Sequence, residues 1–486
     1  MFDTRLHEYF EPSHTAGSRA LIHRMRAAWR VESQAAADRL DAIGELFDQR
    51  RVERGEHADW AVDTWAAVGA EVAAALRISL AMAGSYMHYA LAMRERLSQV
   101  GAVFRAGDID YRLFQTIVYR TDLITNPHVL AGVDAELAAR TSRWPSMTRG
   151  RLAAAIDRIV AGADPDALRH STERTKNRQV SIWDTEAGMA EINGRLFGTD
   201  AAALDRCLDA LAATVCDADP RTKDQRRADA VGALAARADR LSCGCGRSDC
   251  AAGGRATSPV VIHVVAEESA VEGRGCTPAS VAGAGWLIPA QVVAELAKSA
   301  KLQPLTPPPG AEPHYRPSVT LAAYVRARDL TCRAPGCDHP AEFCDLDHSI
   351  PYGDGGATHP SNVKCLCRLH HLLKTFWGWR DKQLPDGTLI WDLPDGHTYV
   401  TTPGSALLFP TLCTPAGVPP TPEPARVDRC GDKTEMMPRR TTTRAHNRAH
   451  YIAAERHRNR QTRLGAHVAQ TGPAPPAPTD DEPPPF

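Results

Sequence analysis

Apolar residues recur with helical spacing through the first third of the chain. Between residues 31 and about 172, for example, Trp65, Val68, Val72 and Leu76 lie three or four positions apart, which places them on one face of a helix. The stretch is also rich in Ala, Leu, Arg and Glu. Repeats of this kind predict several helices in a bundle, each burying one stripe. We treat residues 1–30 as an N-terminal extension of the bundle.

The period changes after this region. Residues 177–196 alternate around a glycine turn, which predicts a β-hairpin. The following segments predict two helices, a buried strand and a further helix, in that order: about 199–216, about 221–240, 260–265 and 290–300.

Proline divides the remainder of the chain. A Pro-rich linker is predicted at 301–317, a compact segment at 318–403, and a low-complexity tail at 404–486. The tail has little apolar periodicity, so we predict it to be disordered for most of its length. Residues 31–300 then form one mostly helical domain, and the predicted fold class is α+β.

Charge is unevenly distributed. Lys and Arg number 57 and Asp and Glu 58, which gives a net charge of −1 and excludes a uniformly basic nucleic-acid binder. Residues 439–463, however, contain eight Arg and one Glu, a local charge of +7. The block can form a helix from about residue 444, with arginines on all sides, and it is either a phosphate contact or a solvated, disordered tail. The segment 318–403 is slightly acidic, with eight Lys and Arg against ten Asp and Glu.

Two pairs of metal-ligating residues lie in that acidic segment. Cys332 and Cys337 flank a Pro-Gly turn, and Cys367 and His370 are spaced as ligands at the start of a helix. A Cys3His set suits a closed tetrahedral structural zinc. Cys344 and Cys365 have no partner at ligand spacing, so we predict them to be core residues.

A second group of polar residues is interleaved with the thiols. Asp347 and His348 end a strand-like stretch, Asn362 follows a Gly-rich loop, and His371 lies on the next helix. Asp347 and His371 can share one hard cation, which leaves its other positions open for catalysis. His348 is then free to accept a proton from water.

These residues together resemble the HNH endonucleases of the ββα-metal fold over about residues 320–380. The resemblance implies that His348 is the general base and that Asp347 and His371 hold a catalytic divalent ion such as Mg²⁺. It implies that Asn362 either orients His348 across the loop or joins the metal shell. It further implies DNA as the substrate.

The wider chain resembles actinobacterial proteins that combine an N-terminal domain of unknown function, family 222, with a C-terminal HNH domain, also called 13E12-repeat proteins. The matching stretches include residues 259–267, 315–318, 328–332, 335–338 and 367–375. The resemblance implies a metal-dependent DNA endonuclease linked to a mobile repeat element. The alternative is a zinc-stapled DNA-binding or regulatory protein of such an element, without nuclease activity.

Several other residues carry weaker expectations. Arg368 and Lys374 flank the last ligands and are predicted phosphate contacts. A hydrogen-bonding role is predicted for His359, and Asp345 has either a supporting or a solvated role.

Three clustered thiols can hold a second metal with Cys276 as the fourth ligand, or can simply line a loop: Cys243, Cys245 and Cys250. The longest charge-free stretch, 78–93, is too short for a membrane span, and we expect a cytoplasmic protein.

Overall fold

A computed structural model describes most of the chain and forms two compact units. One unit comprises residues 1–170 and 433–486, and the other comprises residues 171–432. The residues described are 16–141, 143–144, 147–169, 179–185, 189–196, 198–250, 263–281, 287–298, 300–308, 310–415 and 436–471.

Seven helices follow one another in the first unit, as the helical spacing predicts. They are α1 Ala16–Arg54, α2 Thr64–Leu76, α3 Leu80–Leu91, α4 Ser98–Arg105, α5 Tyr111–Thr121, α6 Pro127–Thr141 and α7 Arg149–Ala163. A π-helical turn, Ala92–Arg96, joins α3 to α4. Polar residues mark the starts of the helices. Asp63, Ser79 and Asp110 each accept a hydrogen bond from a backbone N–H in the first turn of α2, α3 and α5, respectively.

One continuous apolar core holds these helices together. Phe104 and Phe114 are fully buried and stacked, with ring centroids 4.9 Å apart. Leu40, Met93 and Leu137 come from three different helices and are also fully buried. The predicted bundle of several helices is therefore confirmed.

The second unit begins with the predicted hairpin. β1 Gln179–Asp184 pairs antiparallel with β2 Ala190–Arg195. The next elements are α8 Gly198–Ala212, α9 Lys223–Ala235, β3 Val264–Val265, α10 Glu268–Val271, β4 Ala279–Val281, β5 Leu287–Ile288 and α11 Ala290–Ala297. The strand predicted at 260–265 is described only for its last two residues, because residues 260–262 lie outside the described part of the chain.

The polar segment follows α12 Val319–Asp329. Its strands β6 Asp345–His348 and β7 Val363–Leu366 pair antiparallel, with Asp347 opposite Lys364, and α13 Arg368–Phe376 comes directly after β7. A separate three-stranded sheet, in the order β10–β9–β8, contains β8 Arg380–Gln383, β9 Leu389–Asp392 and β10 Thr398–Thr401. Trp379 and Trp391 are buried edge to face, with ring centroids 6.0 Å apart.

The tail contains a long helix, α14 Arg444–Thr471, which belongs to the first unit. Ile452 is buried in the apolar core of that unit. Asn459 donates from its side chain to Asp166 O and Leu168 O, at 2.9 and 2.7 Å. The helix that the basic block can form from about residue 444 is therefore present, and the prediction that most of the tail is disordered does not hold for residues 444–471. It failed because the docking of this helix depends on carboxylates and carbonyls far away in the sequence. Residues 416–435 and 472–486 lie outside the described part.

None of the described helices alone is long and apolar enough to cross a membrane. The two segments Thr64–Leu76 and Leu80–Arg96 meet the length and composition criteria only as a pair, with a bend of 110° between them.

Candidate metal centre and acid–base cluster

Four potential metal ligands converge beside the β6–β7 sheet. Cys332, Cys337, Cys367 and His370 place one donor atom each within 4.8 Å of one another. His370 Nδ1 lies 3.1 Å from Cys367 Sγ and 3.6 Å from Cys332 Sγ. Tetrahedral zinc, with bonds of about 2.0–2.3 Å, separates its ligand atoms by about 3.3–3.8 Å. The predicted Cys3His set is therefore brought together, and it is suited to a structural metal ion.

A tight turn places the first ligand pair. Cys332 N donates to His339 O at 2.7 Å, and Cys337 N donates to Ala334 O at 3.3 Å. Gly336 has φ +71°, a left-handed conformation that glycine adopts without strain. The Pro-Gly turn thus folds both thiols toward the same point.

The start of α13 places the second pair. Cys367 immediately precedes the helix, so His370 lies one turn further on, above the thiol. His370 is fully buried against Trp379, with ring centroids 5.5 Å apart. Its Nε2 has no hydrogen-bond partner among the described residues, whereas Nδ1 faces the thiols. Burial raises the pKa of the Cys332 thiol, while hydrogen bonds from Cys332 and Cys337 lower that of Cys367.

The other two cysteines of this segment are core residues, as predicted. Both are buried and lie outside the four-ligand set. Cys344 Sγ lies 3.3 Å from Pro340 O, and Cys365 N donates to Asp329 Oδ2 at 2.8 Å.

Next to His370 on α13, His371 faces Asp347 of β6. Asp347 Oδ1 lies 3.5 Å from His371 Nε2, a separation that suits neighbouring ligands of one divalent cation. Asp345 Oδ2 lies 2.8 Å from His371 Nδ1. When His371 donates from Nδ1 to this carboxylate, the lone pair of Nε2 points toward Asp347. Asp345 is therefore hydrogen-bonded to His371, as a supporting role would require, although its side chain is 43% exposed.

Two lysines hold the second oxygen of Asp347. Lys364 Nζ and Lys374 Nζ each lie 2.7 Å from Asp347 Oδ2. Both also pair with the buried Asp381, at 2.9 Å. Burial acts to raise the pKa of Asp347, but the two ammonium groups outweigh it and hold the pKa at about 2. The carboxylate is therefore ionised at neutral pH.

His348 is the buried neighbour of this cluster. Its Nε2 lies 2.9 Å from Thr358 Oγ1, and its ring stacks on Tyr315 with centroids 5.4 Å apart. Tyr315 belongs to the predicted linker, so the C-terminal end of that linker packs against the site. Burial lowers the pKa of His348, Asp347 opposes this shift, and Lys364 and Lys374 reinforce it. The imidazole is accordingly neutral at pH 7.

Asn362 holds the loop between the two strands. Its Oδ1 accepts from Ile350 N at 2.8 Å, and its Nδ2 donates to Ile350 O and Ala357 O, at 3.1 and 2.9 Å. These contacts are to the backbone of the loop, and no hydrogen bond to the His348 ring is among them. Nearby, His359 Nδ1 lies 2.6 Å from Ser361 Oγ, which confirms its predicted hydrogen-bonding role.

The residues predicted to contact phosphate differ in their surroundings. The Arg368 side chain is 63% exposed and its Nη1 lies 3.5 Å from Asp345 Oδ2, so it remains accessible to a ligand. Lys374 is only 14% exposed and is paired with two carboxylates. A phosphate contact stays a prediction for both, and for Lys374 it would require those pairs to be given up.

The basic block of the tail is largely neutralised within its own unit. Seven of its eight arginines form ion pairs, six of them with carboxylates of the N-terminal helices and their connections. Arg456, for example, lies 2.7 Å from Asp164, and Arg440 lies 3.0 Å from Asp63. These pairs offset the charge that suggested a phosphate contact.

A second thiol cluster lies outside this segment. Cys216, Cys243, Cys245 and Cys250 bring their sulfurs within 4.8 Å of one another, so this group too is suited to a structural metal. The prediction of Cys276 as the fourth ligand is wrong, because that residue is exposed and outside the cluster. The α8–α9 hairpin instead returns the chain to Cys216, a contact that ligand spacing cannot indicate.

Residues 27–329 match the family described as Domain of unknown function (DUF222). The chain belongs to the DUF222 family. The matched range ends three residues before Cys332, so it includes neither the Cys3His set nor the cluster of Asp347, His348 and His371, whereas the second thiol cluster lies within it.

Two proteins of Mycobacterium tuberculosis (strain H37Rv) are similar to this DUF222 protein over most of their length. The uncharacterized protein Rv3776 is 46% identical, across 95% of this chain and 92% of its own. The uncharacterized protein Rv2100 is 47% identical, across 90% and 87%. No solved structure is significantly similar to the chain.

Several residues of the candidate site in this DUF222 protein are not among those predicted from the sequence. Lys364 gave a usable signal, because a lysine within an apolar strand is rarely buried unless it is paired. Asp381 and Thr358 gave none, and Tyr315 lies in the matching stretch 315–318, which assigns it no role. Each reaches the site through contacts between segments that are distant in the sequence.

Proposed function

We propose that this protein is a metal-dependent DNA endonuclease of the HNH type. Its active site, which would hydrolyse phosphodiester bonds of DNA, lies within residues 318–403. The observation that carries the proposal is the 3.5 Å approach of Asp347 Oδ1 and His371 Nε2 beside a buried, neutral His348. A link to a mobile repeat element follows from the family resemblance alone.

Asp347 and His371 would hold the divalent ion. Asp347 is ionised, and the lysines occupy its Oδ2, which leaves Oδ1 directed at His371. Asp345 fixes the His371 ring so that Nε2 is the free nitrogen. Such an ion, when bound, supplies positive charge that stabilises the phosphate and the leaving oxygen.

His348 would accept the proton of the attacking water. Its Nε2 is held by Thr358 and its ring is stacked on Tyr315, so the imidazole has a fixed orientation. Its lowered pKa keeps it in the unprotonated form that a general base requires. Asn362 holds the loop that contains Thr358 and thereby supports this arrangement.

A second candidate is a metal-stapled DNA-binding or regulatory protein without nuclease activity. The observation that favours it is the pairing of Lys364 and Lys374 with Asp347. Two ammonium groups on this carboxylate reduce the negative charge that attracts a divalent cation.

Cleavage of supercoiled plasmid by the purified full chain separates the two candidates. We expect nicking with Mg²⁺ or Mn²⁺ and none with EDTA. His348→Ala should abolish nicking and leave the zinc content unchanged, because His348 lies outside the Cys3His set.

His359→Ala is the matched control, since it removes a buried histidine of the neighbouring loop whose Nδ1 is hydrogen-bonded to Ser361 and not to Thr358. It should retain nicking at the wild-type rate per folded protein. Cleavage by His348→Ala equal to that of the control would contradict the assignment of the base. Wild-type protein that binds DNA but does not cut with any of the metals would favour the second candidate.

A further inference from the structure

The helical hairpin of α8 and α9 has a very small apolar core. Within residues 198–250, the buried apolar side chains are Leu211, Ala212, Ala230 and Leu241. A module of about 50 residues with so little buried apolar surface usually needs a disulfide or a metal to hold it together.

The free thiols of Cys216, Cys243, Cys245 and Cys250 lie where such a staple would act. Cys216 follows α8, and the other three follow α9. Cys216 Sγ and Cys243 Sγ are 3.5 Å apart, well beyond a disulfide bond of about 2.05 Å. The edges of a zinc–sulfur tetrahedron, about 3.8 Å long, are close to this distance.

Backbone amides are arranged around these sulfurs as they are around metal-bound thiolates. Cys216 accepts a hydrogen bond from Ala218 N, Cys243 from Cys245 N, and Cys245 from Arg247 N. The donor is two residues beyond the acceptor in these three bonds, and Cys243 also accepts from the backbone N–H of Cys216. N–H groups directed at sulfur stabilise the negative thiolate, which is the form that binds metal.

A separate ion pair holds the two ligand-bearing turns together. Asp219 Oδ2 accepts from Gly244 N at 2.7 Å, and Arg221 donates to Ser242 O at 2.7 Å. Arg221 and Asp219 also pair with each other at 2.7 Å. The turn after α8 and the turn after α9 are therefore preorganised, so little ordering is left for the ion to impose.

From these observations we infer a second, all-thiolate zinc site, which closes the α8–α9 hairpin against the segment that follows it; its ligands are Cys216, Cys243, Cys245 and Cys250. Four thiolates form a closed shell without an open position, so the role of this site is structural. It is independent of the proposed nuclease function.

The metal content of the full chain, purified under reducing conditions, tests this inference. We expect about two zinc ions per chain in the wild type, one at each thiol cluster. Cys245→Ser should lose about one zinc, because three thiolates and a hydroxyl bind it less tightly. Cys276→Ser, the matched control outside the cluster, should retain both. A Cys245→Ser variant with the same zinc content as the control would overturn the inference.

A measurement on the unaltered chain guards against a variant that simply misfolds. After replacement of zinc by ¹¹³Cd, the NMR spectrum should show two resonances, one from an all-thiolate site and one from a site with three thiolates and one imidazole. Absence of the all-thiolate resonance would disprove the site. A Cys216–Cys243 disulfide that persists in protein purified under reducing conditions would disprove it as well. Absence of plasmid cleavage would leave both resonances in place, so the two proposals can fail separately.

Discussion

The N-terminal helical bundle and the segment of residues 318–403, which contains β6, β7 and α13, are stabilised in different ways. The bundle has one continuous apolar core, in which residues such as Phe104 and Phe114 are fully buried. The second region combines buried apolar side chains such as Trp379 with buried charge, since Lys364 and Asp381 are almost completely removed from solvent, and it also buries His370 beside three thiols. Apolar burial is non-directional, whereas buried charges and ligands depend on each partner being in place.

This difference predicts where each region is vulnerable. Loss of one methyl group in the bundle removes only a small part of the total free energy that apolar burial contributes. Loss of one ligand or one charge in the segment leaves its partners buried and uncompensated. The following substitutions test the contrast, beginning with the largest expected effect.

Cys332→Ser should unfold the segment of residues 318–403 and leave the bundle intact. Zinc binding in small metal domains accounts for about 10 kcal/mol or more of apparent folding energy, and a lost thiolate forfeits most of it. Zinc analysis and the near-UV circular dichroism of Trp379 and Trp391, both buried in the segment, would report the change. Cys344→Ser is the matched control, because Cys344 is buried but does not belong to the ligand set. Full zinc content with an unchanged melting temperature in Cys332→Ser would refute the hypothesis that the Cys3His set binds a structural zinc ion.

Phe114→Ala is the reciprocal test in the bundle. Removing a fully buried aromatic ring costs about 3–5 kcal/mol, since Phe104 loses its stacking partner and a cavity remains. Denaturant unfolding should show this loss while the zinc content stays the same. Val52→Ala, at a position 87% exposed on α1, should change stability by less than about 0.5 kcal/mol. Zinc loss from Phe114→Ala would mean that the two regions do not fold independently.

Lys364→Met should destabilise the segment by about 3 kcal/mol, because it leaves Asp347 and Asp381 with one shared cation instead of two. The double variant with Asp381→Asn should lose less than the sum of the two single changes. Strict additivity would show that the lysine stabilises the segment by packing alone. The Lys364→Met variant also tests the second candidate function, since it makes Asp347 more negative and should strengthen divalent-ion binding if the lysines suppress it.

The same contrast explains how far sequence alone could reach. The helices of the bundle follow from the spacing of residues such as Val68 and Val72, because apolar periodicity is local. The Cys3His set also follows from local spacing, since each ligand pair lies within one turn. The fourth ligand of the second cluster does not follow from local spacing, because it depends on how a helical hairpin returns the chain. The prediction of Cys276 is therefore wrong, and Cys216 takes that place.

The tail shows a related limit. The positive charge of its arginines can be seen in the local sequence, but the carboxylates that pair with them lie far earlier in the chain. Asp164, for example, is 292 residues before Arg456. Asp381 reaches Asp347 through the lysines in the same non-local way. Pairings between distant polar residues carry no periodic signal, so they had to be found in the structure.

Arg456→Ala tests the docking of α14 and should have the smallest effect, about 1 kcal/mol on the bundle. Arg456 pairs with Asp164 at 2.7 Å and donates to Leu123 O at 2.9 Å, so its loss should loosen the helix without unfolding the apolar core. Faster hydrogen exchange along α14, with unchanged exchange in α5, would show this. Arg458→Ala is the control, because Arg458 pairs with Glu455 of its own helix. If both variants exchange like the wild type, the Arg456–Asp164 pair does not hold the helix, and its docking depends on Ile452, Asn459 and the remaining ion pairs.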